Sequence, residues 1–342
     1  MVACSLTGIS KSPVGGFFDA ALRGVGQVFL QNNPLTGLLF LVGIFLSSYV
    51  TGLYALLGVA VSTATALAAG VDRSTVRRGL YGFNGTLVAI ALATYVRHGY
   101  ALVGYVVLAS MAAAVLTAAI HDFLNSEHVP TLTAAFVLTA WIFLAGLRQF
   151  SHFTSSPASA RPQLPAGIPH TSGALTPSDL LFGFFNGFSQ VLLQTGLWTG
   201  VAFLVGILVN SRLSAVVAAI GSLIGLGIGW AFGMPAGTLH DGIPGYNAVL
   251  TAIALGGLYY LLSRWSAVFA AIAAATSVVV YAMFATVLSP AGLPVLTAPF
   301  VATTWACIFA ADSLTRLRAV HPADAGTPEV NLRSARSSPG RA

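Results

Sequence analysis

The sequence predicts an all-α, polytopic membrane protein of ten transmembrane helices, arranged as an inverted tandem repeat of five helices each. Three observations carry that prediction. Of 342 residues, 56% are hydrophobic and only 7% are charged, whereas a soluble domain carries roughly a quarter Asp, Glu, Lys and Arg. The apolar residues gather in runs long enough to cross hydrocarbon as helix, which takes about 20 residues. Four blocks of sequence also occur twice in a near-constant register.

In chain order, a short amphipathic piece at 17–29 precedes apolar runs at 35–50, 53–70, 79–96, 99–119 and 129–147. A second short piece at 180–193 precedes runs at 197–210, 213–233, 243–262, 265–288 and 294–312. Neither short piece is long and apolar enough for a full crossing. Residues 1–150 are therefore the first repeat and 177–313 the second. The Ser-, Pro- and Gly-rich stretch 151–176 reads as a loose extracytoplasmic linker, and the tail 314–342, with five arginines, reads as disordered.

The repeat is explicit. GVGQVFLQ at 24–31 matches GFSQVLLQ at 187–194, and TGLLFLVGI at 36–44 matches TGVAFLVGI at 199–207. Gly82, Phe83, Asn84 and Leu87 match Gly245, Tyr246, Asn247 and Leu250. VPTLT at 129–133, with Phe136 and Trp141, matches LPVLT at 293–297, with Phe300 and Trp305. The offset is 163 in the first three blocks and 164 in the last, so the second copy gained one residue in between. Such duplication marks a repeat architecture.

Five crossings are an odd number, so the second copy enters from the opposite side and the halves relate by a pseudo-twofold axis in the membrane plane. With the N-terminus inside, twelve of the Lys and Arg residues (Lys11, Arg23, Arg73, Arg77, Arg78, Arg212, Arg264 and the tail arginines) fall inside. Only Arg97, Arg148 and Arg161 fall outside, as the positive-inside rule requires. Both termini are then cytoplasmic in a cell membrane, read as a bacterial inner membrane.

The chemistry of the spans is sparse. Cys4 and Cys307 exclude a disulfide scaffold and a Cys-based metal site. The scattered basic residues report orientation and not a nucleic-acid partner. Asp72, Asp122, Glu127, His240 and Asp241 fall at predicted span ends, where solvated or helix-capping charges belong. His121–Asp122 and Glu127–His128 are sequence neighbours that cannot share a helix face, and no further ligand recurs at a useful spacing, so no metal site or other cofactor is expected. No Gly-x-Ser-x-Gly turn or phosphate-binding glycine loop is present, and nothing in the sequence reads as an enzyme.

What recurs is uncharged polarity: Gln27 and Gln190, Asn84 and Asn247, Thr133 and Thr297. A carboxamide or hydroxyl in hydrocarbon costs several kcal/mol without a partner. The asparagines serve equally well as cross-links between helices. The glutamines lie on the short pieces, and each threonine follows a proline by three residues, where the helix ladder breaks and frees carbonyl oxygens. Phe83, Leu87, Tyr246 and Leu250, with Leu30, supply flat apolar walls, while Trp141 and Trp305 read as packing. A greasy slot edged with acceptor oxygens suits a small, planar, neutral solute with several N–H donors, which describes urea; an ion would lack compensating charge.

These motifs resemble the urea transporter family of bacteria and animals. Its signature, Leu-Pro-x-x-Thr-x-Pro-Phe, stands intact as LPVLTAPF at 293–300 and altered as VPTLTAAF at 129–136. The resemblance implies passive, channel-like urea transport through a slot-shaped selectivity filter, a homotrimer with one pore per subunit, and two re-entrant pore helices beginning near Phe17 and Leu180. It further implies that Gln27, and Gln190 with Val191, serve the outer and inner binding regions, and that Thr133 and Thr297 line the central constriction. Phe83 and Leu87, with Tyr246 and Leu250, would form the slots. Leu30 stands where the family often has Phe, Tyr246 where Phe is common, and Val129 and Ala135 replace Leu and Pro. Short amides, ammonia or water as cargo on the same fold, and a non-transporting membrane scaffold, stay open as alternatives.

Overall fold

A computed structural model describes residues 12–165 and 175–337. Cys4, Lys11 and Arg341 lie outside the described residues. The first repeat comprises α1 (Pro13–Gln27), α2 (Pro34–Ser47), α3 (Tyr49–Ala68), α4 (Arg73–Arg77), α5 (Gly82–Tyr95), α6 (Tyr100–Asn125) and α7 (Ala134–Gly146). The second comprises α8 (Pro177–Ser189), α9 (Leu197–Asn210), α10 (Arg212–Ala231), α11 (Ala236–His240), α12 (Gly245–Ile253), α13 (Arg264–Leu288) and α14 (Ala298–Phe309), and α15 (Pro328–Ser337) ends the described chain. Each apolar run read from the sequence contains a helix.

Local chemistry sets the boundaries. Ser12, Asn33, Ser48 and Asp72 accept backbone N–H bonds at the starts of α1 to α4, and Pro13 and Pro34 occupy first-turn positions that need no N–H. Thr176, Ser211 and Ser263 cap α8, α10 and α13 in the same way. The short α4 and α11 fall between the apolar runs, because five residues cannot carry a periodic apolar signal. Asp72 caps α4, and His240 Nδ1 shares a 2.9 Å hydrogen bond with Asp179, so these charges act at helix ends.

Among the described residues, α3, α6, α10 and α13 with its 3₁₀ extension are long and apolar enough to cross a membrane, and α8 and α9 form one further candidate bent by 71°. The apolar helices α2, α5, α7 and α14 are shorter. Large apolar side chains such as Leu46, Val115, Ile142, Trp198 and Val287 point outward, an apolar surface that suits lipid and not water.

The halves meet through reciprocal contacts. Thr36 Oγ1 donates to the Gly206 carbonyl (2.8 Å), and its counterpart Thr199 donates to the Gly43 carbonyl (3.2 Å). Phe40 and Phe203 pack with ring centroids 5.4 Å apart. Reciprocity of this kind is the signature of a twofold relation, here between two parts of one chain. Inside each repeat, glycines let the first helix approach the fifth: a Cβ on Gly24 would lie 2.9 Å from the Gly82 Cα, and one on Gly245 would lie 3.0 Å from the Gly187 Cα.

The extra residue of the second repeat has a location. Where α5 runs unbroken to Tyr95, α12 ends at Ile253 and the chain goes on through a π-type turn, Ala254–Leu258, kinked where Gly256 (φ −87°, ψ 24°) and Gly257 (φ 146°, ψ −9°) leave helical geometry. One residue inserted into a helix is accommodated this way. The 164-residue offset then persists beyond the expected repeat ends. Arg97 N–H donates to the Thr154 carbonyl and Ser156 N–H to the Tyr95 carbonyl; Leu261 N–H donates to Arg318 and Val320 N–H to Tyr259 in the equivalent pattern.

The tail expected to be disordered is therefore ordered through residue 337. Glu329 accepts from the Ser211 hydroxyl (2.7 Å) and the Leu213 N–H (3.0 Å) at the start of α10. Asn331 Nδ2 donates to the Gly257 and Leu258 carbonyls in the π-helical segment. The reason is polar. Disorder is inferred from weak apolar content, whereas this segment is held by backbone groups that a helix end and a π-bulge leave without partners.

Candidate functional site

Two cavities flank the junction of the repeats. One, of about 510 Å³, is lined by first-repeat residues including Gln27, Leu30, Phe83 and Leu132. The other, of about 310 Å³, is lined by Gln190, Val191, Tyr246, Leu296 and Thr297 of the second repeat. The structure thus brings Gln27, Leu30 and Phe83 together, and separately Gln190, Val191, Tyr246 and Thr297. Leu87 and Leu250 are fully buried in the core and line neither cavity. They stand one helical turn beyond Phe83 and Tyr246, on the same helix faces.

Thr297 lines the second-repeat cavity and Thr133 directly follows Leu132, which lines the first-repeat one; Thr133 Oγ1 and Thr297 Oγ1 stand 2.7 Å apart in a hydrogen bond. The two residues are 3% and 2% exposed, so neither faces lipid. Each immediately precedes a helix, α7 or α14, and follows a leucine in the left-handed region (Leu132, φ 48°; Leu296, φ 54°). Such a conformation costs a β-carbon residue of order 1–2 kcal/mol and persists only where its surroundings fix it. A residue bonded to its own repeat counterpart lies on the pseudo-twofold axis.

The asparagines work as links. Asn84 Oδ1 accepts from Phe136 N–H and Asn247 Oδ1 from Phe300 N–H, each at 3.1 Å, in the first turns of α7 and α14. Their amides differ. Asn84 Nδ2 donates to Thr117 at 3.0 Å. The counterpart of Thr117 is Tyr281, and Asn247 Nδ2 instead points to the Leu296 carbonyl at 3.4 Å. Tyr246 donates its hydroxyl to that same carbonyl at 2.6 Å. Gln27 donates from Nε2 to the Arg78 carbonyl at 2.9 Å.

A profile of the family described as "Urea transporter" matches residues 18–312. Urea transporter 1 of Ovis aries is 32% identical over 295 residues, covering 84% of this chain and 75% of that protein. Urea transporter 1 of Mus musculus is 32% identical over 260 residues, covering 74% of this chain and 66% of that protein. The chain belongs to the urea transporter family.

It is thus a membrane-embedded helical protein of a transporter family and not of an enzyme family. As a urea transporter, it holds several cavity residues that the sequence reading passed over. Leu193, the counterpart of Leu30, lines the second-repeat cavity; both leucines have positive φ (53° and 61°), and the repeat itself was the signal that could have found it. Tyr95 and Tyr281 line the same cavity. Ala158, Ala160, Arg161 and Gln163 of the expected linker wall that cavity, and residues 321–323 and 325–327 of the expected tail wall the other. Each half therefore closes the other's cavity, an exchange no local sequence signal announces. His121 and His128 also line the first-repeat cavity, where the His128 and His321 rings stand 4.5 Å apart. Among the described residues no group of three or more His, Cys, Asp or Glu could hold a metal ion.

Proposed function

We propose that this transporter conducts urea passively down its gradient, through a channel whose narrow point is the Thr133–Thr297 bridge. In this reading α2, α3, α5, α6 and α7, with their counterparts α9, α10, α12, α13 and α14, are ten crossings. The helices α1 and α8 are re-entrant, an arrangement supported by the sharp bend between α8 and α9. Both termini face the cytoplasm of a bacterial inner membrane, so the first-repeat cavity with Gln27 opens inward and the cavity with Gln190 and Val191 outward, the reverse of the order the resemblance implies, and the chains assemble as homotrimers with one path each.

The observation that carries the reading is the buried, uncharged hydroxyl pair, one member of which lines the second-repeat cavity while the other directly follows Leu132 of the first-repeat cavity. Arg78 and Arg161 lie at the cavities and not at this pair. An ion there would lose its hydration without compensation. A planar solute with several N–H donors can instead exchange hydration for the two hydroxyls and nearby carbonyls. Phe83 and Tyr246, backed from the core by Leu87 and Leu250, then supply the flat faces of the slot, and Leu30 and Val191 its apolar rims. Gln27 and Gln190 offer carboxamide oxygens on either side.

Purified protein in proteoliposomes tests this. In an inward urea gradient the vesicles should shrink and reswell rapidly with no ion or proton gradient supplied, and Thr297→Val should slow reswelling by at least roughly tenfold, the worth of a buried polar contact left unmade. Reswelling no faster than through protein-free lipid would sink the reading. Stronger conduction of acetamide or formamide than of urea would reassign the cargo.

A further inference from the structure

We propose that Trp141 and Trp305 are positioning residues that set the width of the Thr133–Thr297 constriction, each by holding the proline carbonyl of the opposite repeat. The proposal rests on the reading of that bridge as the narrow point of a urea path. Trp141 Nε1 donates to the Pro294 carbonyl and Trp305 Nε1 to the Pro130 carbonyl, both at 2.8 Å. On α7 the indole follows the axial threonine by eight residues, about two turns, and on α14 the spacing is the same. Each helix thus presents a threonine to the axis from its start, and farther along it grips the loop that carries the opposite threonine.

The loops need such a grip. Pro130 and Pro294 precede the threonines by three residues, and a left-handed leucine lies between each pair. Strained backbone of this kind stays in place only when neighbours over-determine it. Pro130 lines one cavity and Pro294 the other, so a proline carbonyl released from its indole can rotate toward the path. Release would loosen the threonine contact and admit a bulkier guest. The reciprocity means that each repeat sets the geometry of the other's half of the filter.

The test compares urea with N-methylurea in proteoliposomes. Trp141→Phe and Trp305→Phe keep an aromatic ring and remove the N–H. Each is expected to raise the N-methylurea to urea permeability ratio roughly fivefold, the worth of one neutral hydrogen bond. The double variant should fall short of the product, because both clamps act on one contact. Where a phenylalanine variant fails to fold, β-(3-benzothienyl)alanine at the same position keeps the bicyclic shape and lacks only the donor. A parallel loss of both fluxes with an unchanged ratio would overturn the clamp and leave the tryptophans as packing.

A second measurement needs no solute. With Cys4→Ser and Cys307→Ala in place, Thr133→Cys/Thr297→Cys is oxidised in membranes and cross-linking is followed by loss of maleimide labelling. Rapid cross-linking with both tryptophans present, slowed several-fold by either phenylalanine, supports the clamp. An unchanged rate, or no cross-link with both tryptophans intact, overturns it. If the native protein carries no urea above bare lipid, the transport reading falls while the cross-linking arm still decides the clamp.

Discussion

The Tyr246 hydroxyl donates to the Leu296 carbonyl oxygen at 2.6 Å, whereas its first-repeat counterpart Phe83 has no hydroxyl with which to reach Leu132. The two halves of the site are therefore unequal: one signature carbonyl already has a protein donor. Tyr246→Phe is expected to leave that acceptor with only the long 3.4 Å contact from Asn247 Nδ2 and to raise urea permeability several-fold. A buried hydrogen bond lost with only one partner left behind costs stability of about 1–3 kcal/mol. Stopped-flow light scattering and thermal unfolding in detergent read the two effects separately, and a fall in permeability would show that the hydroxyl itself serves the solute.

The threonine bridge predicts non-additive stability. Thr133→Val or Thr297→Val alone strands a buried hydroxyl and should destabilise by about 1–3 kcal/mol, while removing both partners should cost less than the two single changes together. Unfolding temperatures of the four proteins in one detergent close the cycle. Simple additivity would mean that the hydroxyls do not bond to one another.

Close approach of helices makes Gly24 sensitive. An added Cβ there meets the Gly82 Cα at 2.9 Å, and neighbouring backbone cannot yield as a flexible side chain can. Gly24→Ala should destabilise by a few kcal/mol, as overpacking does. Gly227, with nothing within 4 Å of an added Cβ, is the control: alanine there should stabilise α10 by up to about 1 kcal/mol.

The tail anchor predicts a pH dependence. Burial pushes the Glu329 carboxyl upward, but hydrogen bonds from the Leu213 N–H and the Ser211 hydroxyl outweigh it and hold the pKa below its ordinary 4.5. A lowered folded pKa means that the anchor's stabilisation is complete above the ordinary value and fades as pH falls through the lowered one. Hydrogen exchange in α15 should therefore accelerate in acid, and Glu329→Gln should remove most of that dependence while weakening protection at neutral pH.

Asn331 bridges the tail and the π-helical segment. Asn331→Ala strands the Gly257 and Leu258 carbonyls and should expose the chain after Arg318 to trypsin without unfolding the helices. Protease resistance equal to the parent protein would mean that Glu329 alone holds the tail.

Much of this molecule is legible in its primary structure, because burial in hydrocarbon and gene duplication both write long, regular patterns. The apolar runs delimit the helices, and the twice-written Gln, Asn and Thr positions mark polar groups too costly to scatter at random through an apolar interior. The 163-to-164 step even announces an insertion, though its form as a kinked π-type turn after α12 appears only in the structure. Belonging to the urea transporter family follows from the same duplicated motifs.

Tertiary structure decides what depends on atoms meeting from opposite halves of the chain. Trp141 and Trp305 look like packing until their N–H groups are seen to bond Pro294 and Pro130. The segments after each repeat look like loose linker and tail until each is found along the other repeat's cavity. Leu87 and Leu250 share their motif with Phe83 and Tyr246, yet lie behind them in the core. Periodicity and composition report what a segment does with its own neighbours. A contact across a twofold axis is set by how two such segments pack, with hydrogen-bond partners more than 140 residues apart in the chain.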